Sequence, residues 1–231
     1  MYDDEAKQFF ECEEYMETAL SLSLTGKNEE AIKVIDKAIA INPKFAQAYN
    51  KKGDFLLKLG RINEALECYL KSQEFNPNIQ NNYYDLGRTY LLLGDYENSL
   101  QNFKKAYEMK PQDDIHAFIG KIYFDQNKID EAKESFENIL GVNTKEKDSI
   151  KLELQASSSN VMANYYYAQI LLKLGEKDKA YSFFNRIVEK YTRLVRSKPN
   201  MAEGYYYIGK SYYFMEDYEK AEENLKLAIK Y

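Results

Sequence analysis

Residues 80–112 read QNNYYDLGRTYLLLGDYENSLQNFKKAYEMKPQ, and this stretch decides the fold. Tyr83, Leu86, Gly87 and Tyr90 recur at i, i+3, i+4 and i+7, which places them on one face of a helix. Gly94 stops that helix, because a left-handed residue after the last turn costs glycine least. Asp95 can cap the next helix, with Asn98 three residues on where a capping box would carry Glu or Gln. Ser99, Phe103 and Ala106 form a second apolar face, and Pro111, lacking an N–H, ends the segment. Gly87 and Ser99 fall where two such helices would cross, and small side chains there permit close approach.

The pattern recurs on both sides. Gly26, Gly60 and Gly94 are spaced by 34 residues, as are Pro43, Pro77 and Pro111, and the series Ala31, Ala65, Ser99. Gly53 and Gly87 share the step. The Gly87 series then continues through Gly120, Ala168 and Gly209 with steps of 33, 48 and 41. The two excesses, 14 and 7 residues, are whole heptads, about two helical turns per seven residues. Six helix-turn-helix repeats follow, near 12–45, 46–79, 80–112, 113–146, 161–194 and 202–231. An inserted stretch lies near 147–160, with Ser157–Asn160 offering a helix cap, and the second helix of repeat five is extended over about 177–198. Asn127 stands at the inter-helix turn of repeat four, tolerably, and Glu216 at that of repeat six, less comfortably. One helical pair cannot bury both its faces, so neighbouring pairs must stack.

The run Tyr83, Leu86, Gly87, Tyr90, Gly94, Ser99, Phe103, Ala106, Pro111 resembles the tetratricopeptide repeat (TPR). So do Tyr49, Gly53, Gly60, Ala65, Tyr69, Ser72, Pro77 and, in repeat six, Tyr205, Ile208, Gly209, Tyr212, Ala221, Leu225, Ala228. The family's tryptophan position is mostly tyrosine here, and His116 in repeat four. The resemblance covers nearly the whole chain. It implies an all-α, right-handed α-solenoid of about six repeats whose first helices line a concave groove.

Composition narrows the function. The 231 residues carry a net charge of −5, which provides no basic stripe for nucleic acid. With 45% hydrophobic and 30% charged residues the chain can bury a core. No apolar run approaches the roughly 18 residues of a membrane span, the acidic start MYDDEAKQFF is unlike a secretory signal, and a cytoplasmic location is expected. Cys12 and Cys68 are far apart, so neither a disulfide framework nor a zinc site is expected. No phosphate-binding, dinucleotide, zinc-protease or nucleophile-elbow motif occurs. Adjacent carboxylates such as Asp113-Asp114 point about 100° apart on a helix and read as solvated faces. His116 reads as a packed histidine, and no enzyme, metal or cofactor is expected.

The resemblance also implies where a ligand lies. Carried over position by position, the groove would comprise Asn50, Asn81, Tyr84, Arg88, Phe118, Lys121, Phe124, Tyr165, Tyr166, Gln169, Tyr206, Tyr207, Lys210 and Tyr213. Tyrosine offers large contact area, few rotamers to freeze and a hydroxyl handle. Arg88, Lys121, Gln169 and Lys210 would fix polar groups over that floor. Packing between repeats explains tyrosine at several of these positions equally well. The two-carboxylate clamp of the family's chaperone-tail binders is absent: its places hold Met16 and Leu20, then Lys51, then Asn81 and Asp85. The expected role is a non-catalytic adaptor that binds a partner's peptide segment. The alternative is a structural assembly subunit that oligomerises through terminal or convex surfaces, among them a homo-oligomer through the uncapped C-terminal repeat, around Leu225, Leu227, Ala228 and Ile229. A single-stranded RNA binder is disfavoured by the acidic balance.

Overall fold

The computed structural model describes residues 2–141 and 158–231. The inserted stretch falls mainly outside them, as does the suggested cap at Ser157. The described residues form twelve helices and no strand: α1 (Tyr2–Leu24), α2 (Asn28–Ile41), α3 (Ala46–Lys58), α4 (Ile62–Phe75), α5 (Gln80–Leu92), α6 (Tyr96–Met109), α7 (Asp113–Asp125), α8 (Ile129–Leu140), α9 (Ser158–Lys173), α10 (Lys177–Ser197), α11 (Ala202–Phe214) and α12 (Tyr218–Lys230). They pair as antiparallel hairpins, and the second helix of one hairpin packs against the first of the next within each of two compact units, 1–111 and 112–231. Each unit has its own apolar core.

Local chemistry builds the hairpins. In all six, a backbone N–H three residues past the end of the first helix reaches back to a carbonyl five residues earlier: Lys27 to Leu22, Arg61 to Leu56, Asp95 to Tyr90, Lys128 to Tyr123, Glu176 to Leu171 and Asp217 to Tyr212, at 2.8–3.0 Å. This closure needs a left-handed residue just before the donor. Glycine fills the place in four hairpins, for instance Gly94 at φ +77°, while Asn127 (φ 57°) and Glu216 (φ 66°) adopt it without being glycine. Asp95 Oδ1 accepts from Asn98 N at 3.1 Å, and Asp95 Oδ2 accepts from Asn98 Nδ2 at 2.7 Å. Both carboxylate oxygens of the capping residue are thus satisfied by one asparagine.

The helices of a hairpin cross closely. Ser99 Oγ donates to Gly87 O at 2.7 Å. A Cβ added at Gly87 would stand 2.9 Å from the ring of Phe103, which is fully buried. Sixteen residues separate that pair, and the same spacing sets Gly53 against Tyr69, Gly120 against Phe136 and Gly209 against Leu225. Helix α10 has 21 residues where α8 has 12. Its added turns pack against the start of α11: Val195 Cγ1 would lie 2.6 Å from a Cβ at Gly204.

Candidate peptide-binding surface

The first helices of unit 112–231 bring an aromatic cluster together. Two tyrosine pairs, Tyr165-Tyr166 on α9 and Tyr206-Tyr207 on α11, meet edge to face, with Tyr165 and Tyr207 centroids 5.7 Å apart. Adjacent residues on a helix diverge by about 100°, so the members of each pair meet different surroundings. Tyr165 is buried: its ring is enclosed by Tyr166, Phe184, Tyr207 and Phe214 at 5.3–6.2 Å, and its work is packing. Tyr166 is half-buried, stacked on Phe136 and tilted against Phe124 at 5.2 Å. Tyr207 stacks on Tyr191 of the lengthened α10 at 5.4 Å, with planes 5° apart. Tyr191 in turn donates its hydroxyl to Glu203 Oε1 at 3.1 Å. Tyr206 and Tyr213 stand out of this floor, 47% and 51% exposed.

Lysines border the rings. Lys173 Nζ lies 4.6 Å from the Phe124 centroid, and Lys210 Nζ lies 5.7 Å from that of Tyr213 and 5.6 Å from that of Phe214. Lys121 sits over Tyr166 at 5.8 Å and bonds Asp125 one turn along. Phe118 and Gln169 are half-buried on α7 and α9. Burial raises the hydroxyls of Tyr165, Tyr166 and Tyr207 above the ordinary phenol pKa, with neighbouring acidic and phenolic groups adding to the effect. The rings are therefore neutral at any physiological pH. The surface offers apolar faces, hydroxyl groups and ammonium groups.

Unit 1–111 differs. Asn50 is buried, and its amide donates to Asn82 Oδ1 at 3.2 Å and Asp85 Oδ2 at 2.9 Å. Asn82 Oδ1 also accepts from Ser72 Oγ at 2.9 Å. Tyr69 donates to Asp54 Oδ1 at 2.8 Å, and Asp54 Oδ2 accepts from Lys51 Nζ at the same distance. Burial pushes the Asp85 carboxyl up to about 6, against the pull of Asn50. Asn50 therefore ties α3 to α5. Asn81 is exposed, and the Arg88 guanidinium lies over the half-buried Tyr84 ring at 5.8 Å. Sequence reasoning missed this carboxylate–amide network, whose members lie up to 35 residues apart. It also missed Tyr191 as a prop for Tyr207. Its apolar stripe with Ile187 was the available signal.

His116 is half-buried, and burial lowers its pKa. Among the described residues no cluster of three or more His, Cys, Asp or Glu could hold a metal ion. No described helix is long and apolar enough to cross a membrane.

Tetratricopeptide-repeat family models match residues 24–60, 44–112, 119–194 and 202–231. The chain belongs to the tetratricopeptide-repeat family. Its all-α TPR solenoid is that of a protein-interaction scaffold. Similar solved TPR-type structures include that of pilF from Pseudomonas aeruginosa, with TM-score 0.67 and 18% identity over 97% of this chain and 94% of that one. MamA aligns with TM-score 0.62 and 19% identity over 80% and 94%. YrrB, a TPR protein described as having an unusual peptide-binding site, aligns with TM-score 0.51 and 23% identity over 85% and 91%. At these identities the likeness is one of fold. A comparison with curated protein sequences finds no match.

Proposed function

We propose that this TPR protein is a non-catalytic adaptor that holds a peptide segment of a partner protein along its first helices. The observation that carries the reading is the aromatic and lysine surface of α9 and α11, where Tyr206 and Tyr213 are about half exposed above a packed ring floor. Large apolar side chains of a peptide would lie against Tyr166, Tyr206, Tyr207, Tyr213 and Phe124. Lys121, Gln169 and Lys210 would pair with its polar groups, which favours segments bearing carboxylates. On α5, Asn81 and Arg88, the latter over Tyr84, are the corresponding contacts of unit 1–111. Asn50 and Tyr165 support these faces from beneath. The net charge of −5 argues against a nucleic-acid partner.

The test is affinity capture from lysate with the intact chain and with Tyr206→Ala/Tyr213→Ala. A partner retained by the first and lost by the second, at unchanged melting temperature, supports the groove. Equal recovery by both refutes it.

Self-assembly is the second reading, favoured by Ile229 on α12 and Tyr231 just after it, which are 86% and 49% exposed. Sedimentation of the chain and of Ile229→Lys over a concentration series separates it from the first.

A further inference from the structure

Unit 1–111 carries a cleft of about 580 Å³ bounded by α4, α5 and α6. Tyr83, Leu86 and Tyr90 of α5 line it together with Leu70 of α4 and Gln101, Asn102 and Lys105 of α6. One repeat earlier the same place is bridged. Lys52, 34 residues before Leu86, donates from Nζ to Oδ1 of Asp36, 34 residues before Leu70, at 2.7 Å. Phe75 also lies against Tyr49 there, with centroids 5.4 Å apart. In the next repeat Leu86 and Leu70 cannot form the ion pair, and Met109, 38% exposed, stands where Phe75 stood. The cleft therefore arises from particular substitutions in a repeating frame and is not a general property of the stacking.

Its walls differ in chemistry. On the α4 side Leu70, 40% exposed, supplies an apolar surface beside the amide of Gln73. The α6 side carries amides, and a primary amide both donates and accepts, as the alternating N–H and C=O groups of an extended backbone require. Asn102 Nδ2 gives one N–H to Asn98 O at 2.8 Å, which orients the amide and leaves Oδ1 to accept from a peptide N–H. The charges on the lining, Lys104 and Lys105 against Glu108, give a local positive excess on a chain of net −5. The Lys105–Glu108 pair at 3.6 Å is solvent-exposed and readily exchanged for another carboxylate.

The geometry points to a second binding site in this cleft, whose occupant is an extended acidic peptide that sets a leucine-sized side chain on Leu70, Tyr83 and Tyr90. Carboxylates flanking that side chain face α6, and the backbone pairs with Gln101 and Asn102. The site lies on a different unit from the tyrosine surface proposed above and does not depend on it.

The experiment titrates the full chain into a fluorescein-labelled nonapeptide of alternating glutamate and leucine and follows anisotropy, with an alternating lysine–leucine nonapeptide as comparison. The acidic peptide is expected to bind at least about tenfold more tightly. Leu70→Asp with Leu86→Lys copies the Asp36–Lys52 bridge into this repeat and should weaken binding about tenfold. Lys105→Glu should weaken the acidic peptide and strengthen the basic one, and it decides the matter if the double variant fails to fold. Equal affinity for both peptides, or unchanged binding by a folded Leu70→Asp/Leu86→Lys or by Lys105→Glu, overturns the proposal. Loss of binding in Tyr206→Ala/Tyr213→Ala would place the peptide on the other surface and also overturn it. A concentration-dependent dimer dissolved by Leu70→Asp/Leu86→Lys would make a second copy the occupant, with the same consequence.

Discussion

Replacing Gly87 by alanine sets two effects of similar size against each other. Alanine favours a helix interior over glycine by about 1 kcal/mol. Against that, the new methyl would stand 2.9 Å from Cδ1 and Cγ of Phe103, inside normal carbon–carbon contact. The ring has no exposure through which to retreat, and Ser99 Oγ pins the Gly87 carbonyl at the same crossing. Overpacking of this kind costs about 1–3 kcal/mol, so a net loss of about 1 kcal/mol is expected. In a chain of this size that lowers the melting temperature by about 2–4 °C. The assay is urea unfolding followed by circular dichroism for Gly87→Ala, Phe103→Leu and the double variant. Leucine gives the methyl room, so the two losses should fall short of additivity by about 1 kcal/mol. Repeat five supplies an internal control, since Ala168 occupies the same place opposite buried Phe184. There Ala168→Gly should destabilise by about 1 kcal/mol. If Gly87→Ala instead raises stability by the full helix-propensity gain, the close crossing is not what glycine serves.

Three further outcomes are expected. Glu216→Gly should stabilise unit 112–231 by about 1 kcal/mol in thermal melts, because the left-handed backbone at φ 66° strains a residue with a Cβ, although the contact with Lys177 is lost. Asp85, raised to about 6, keeps its proton in the folded chain at pH values where the unfolded chain has already released it. Its burden on stability therefore develops as pH rises from about 4 to about 6 and is full above that range, so Asp85→Asn should gain on the order of 2 kcal/mol at pH 7, none at pH 3, and flatten the urea midpoint between. Tyr207→Ala, by removing a ring stacked on Tyr191, should cost about 3 kcal/mol, whereas Tyr206→Ala should leave the melt nearly unchanged.

The hairpins were legible because their determinants are local. Gly94, Asp95 and Ser99 act within one turn or one crossing, and even Asn127 and Glu216 could be placed in the left-handed region from their position in the repeat. The candidate surface was only half legible. Position in the repeat found Tyr165, Tyr166, Tyr206 and Tyr207 but could not sort buried from exposed. That depends on Phe184, Tyr191 and Phe214, which arrive from other helices. Asn50 looked like a groove contact for the same reason. Its partner Asp85 is 35 residues away, and no pattern in the sequence marks the two as a pair.

The six turn closures are made by main-chain groups, whatever side chain sits beside them. A hairpin closed in this way asks the sequence for little beyond tolerance of one left-handed residue and a small residue at the crossing. Lineages can then replace almost every exposed residue while the scaffold keeps its shape. The same fold is met in pilF at 18% identity over 97% of the chain, with most side chains different.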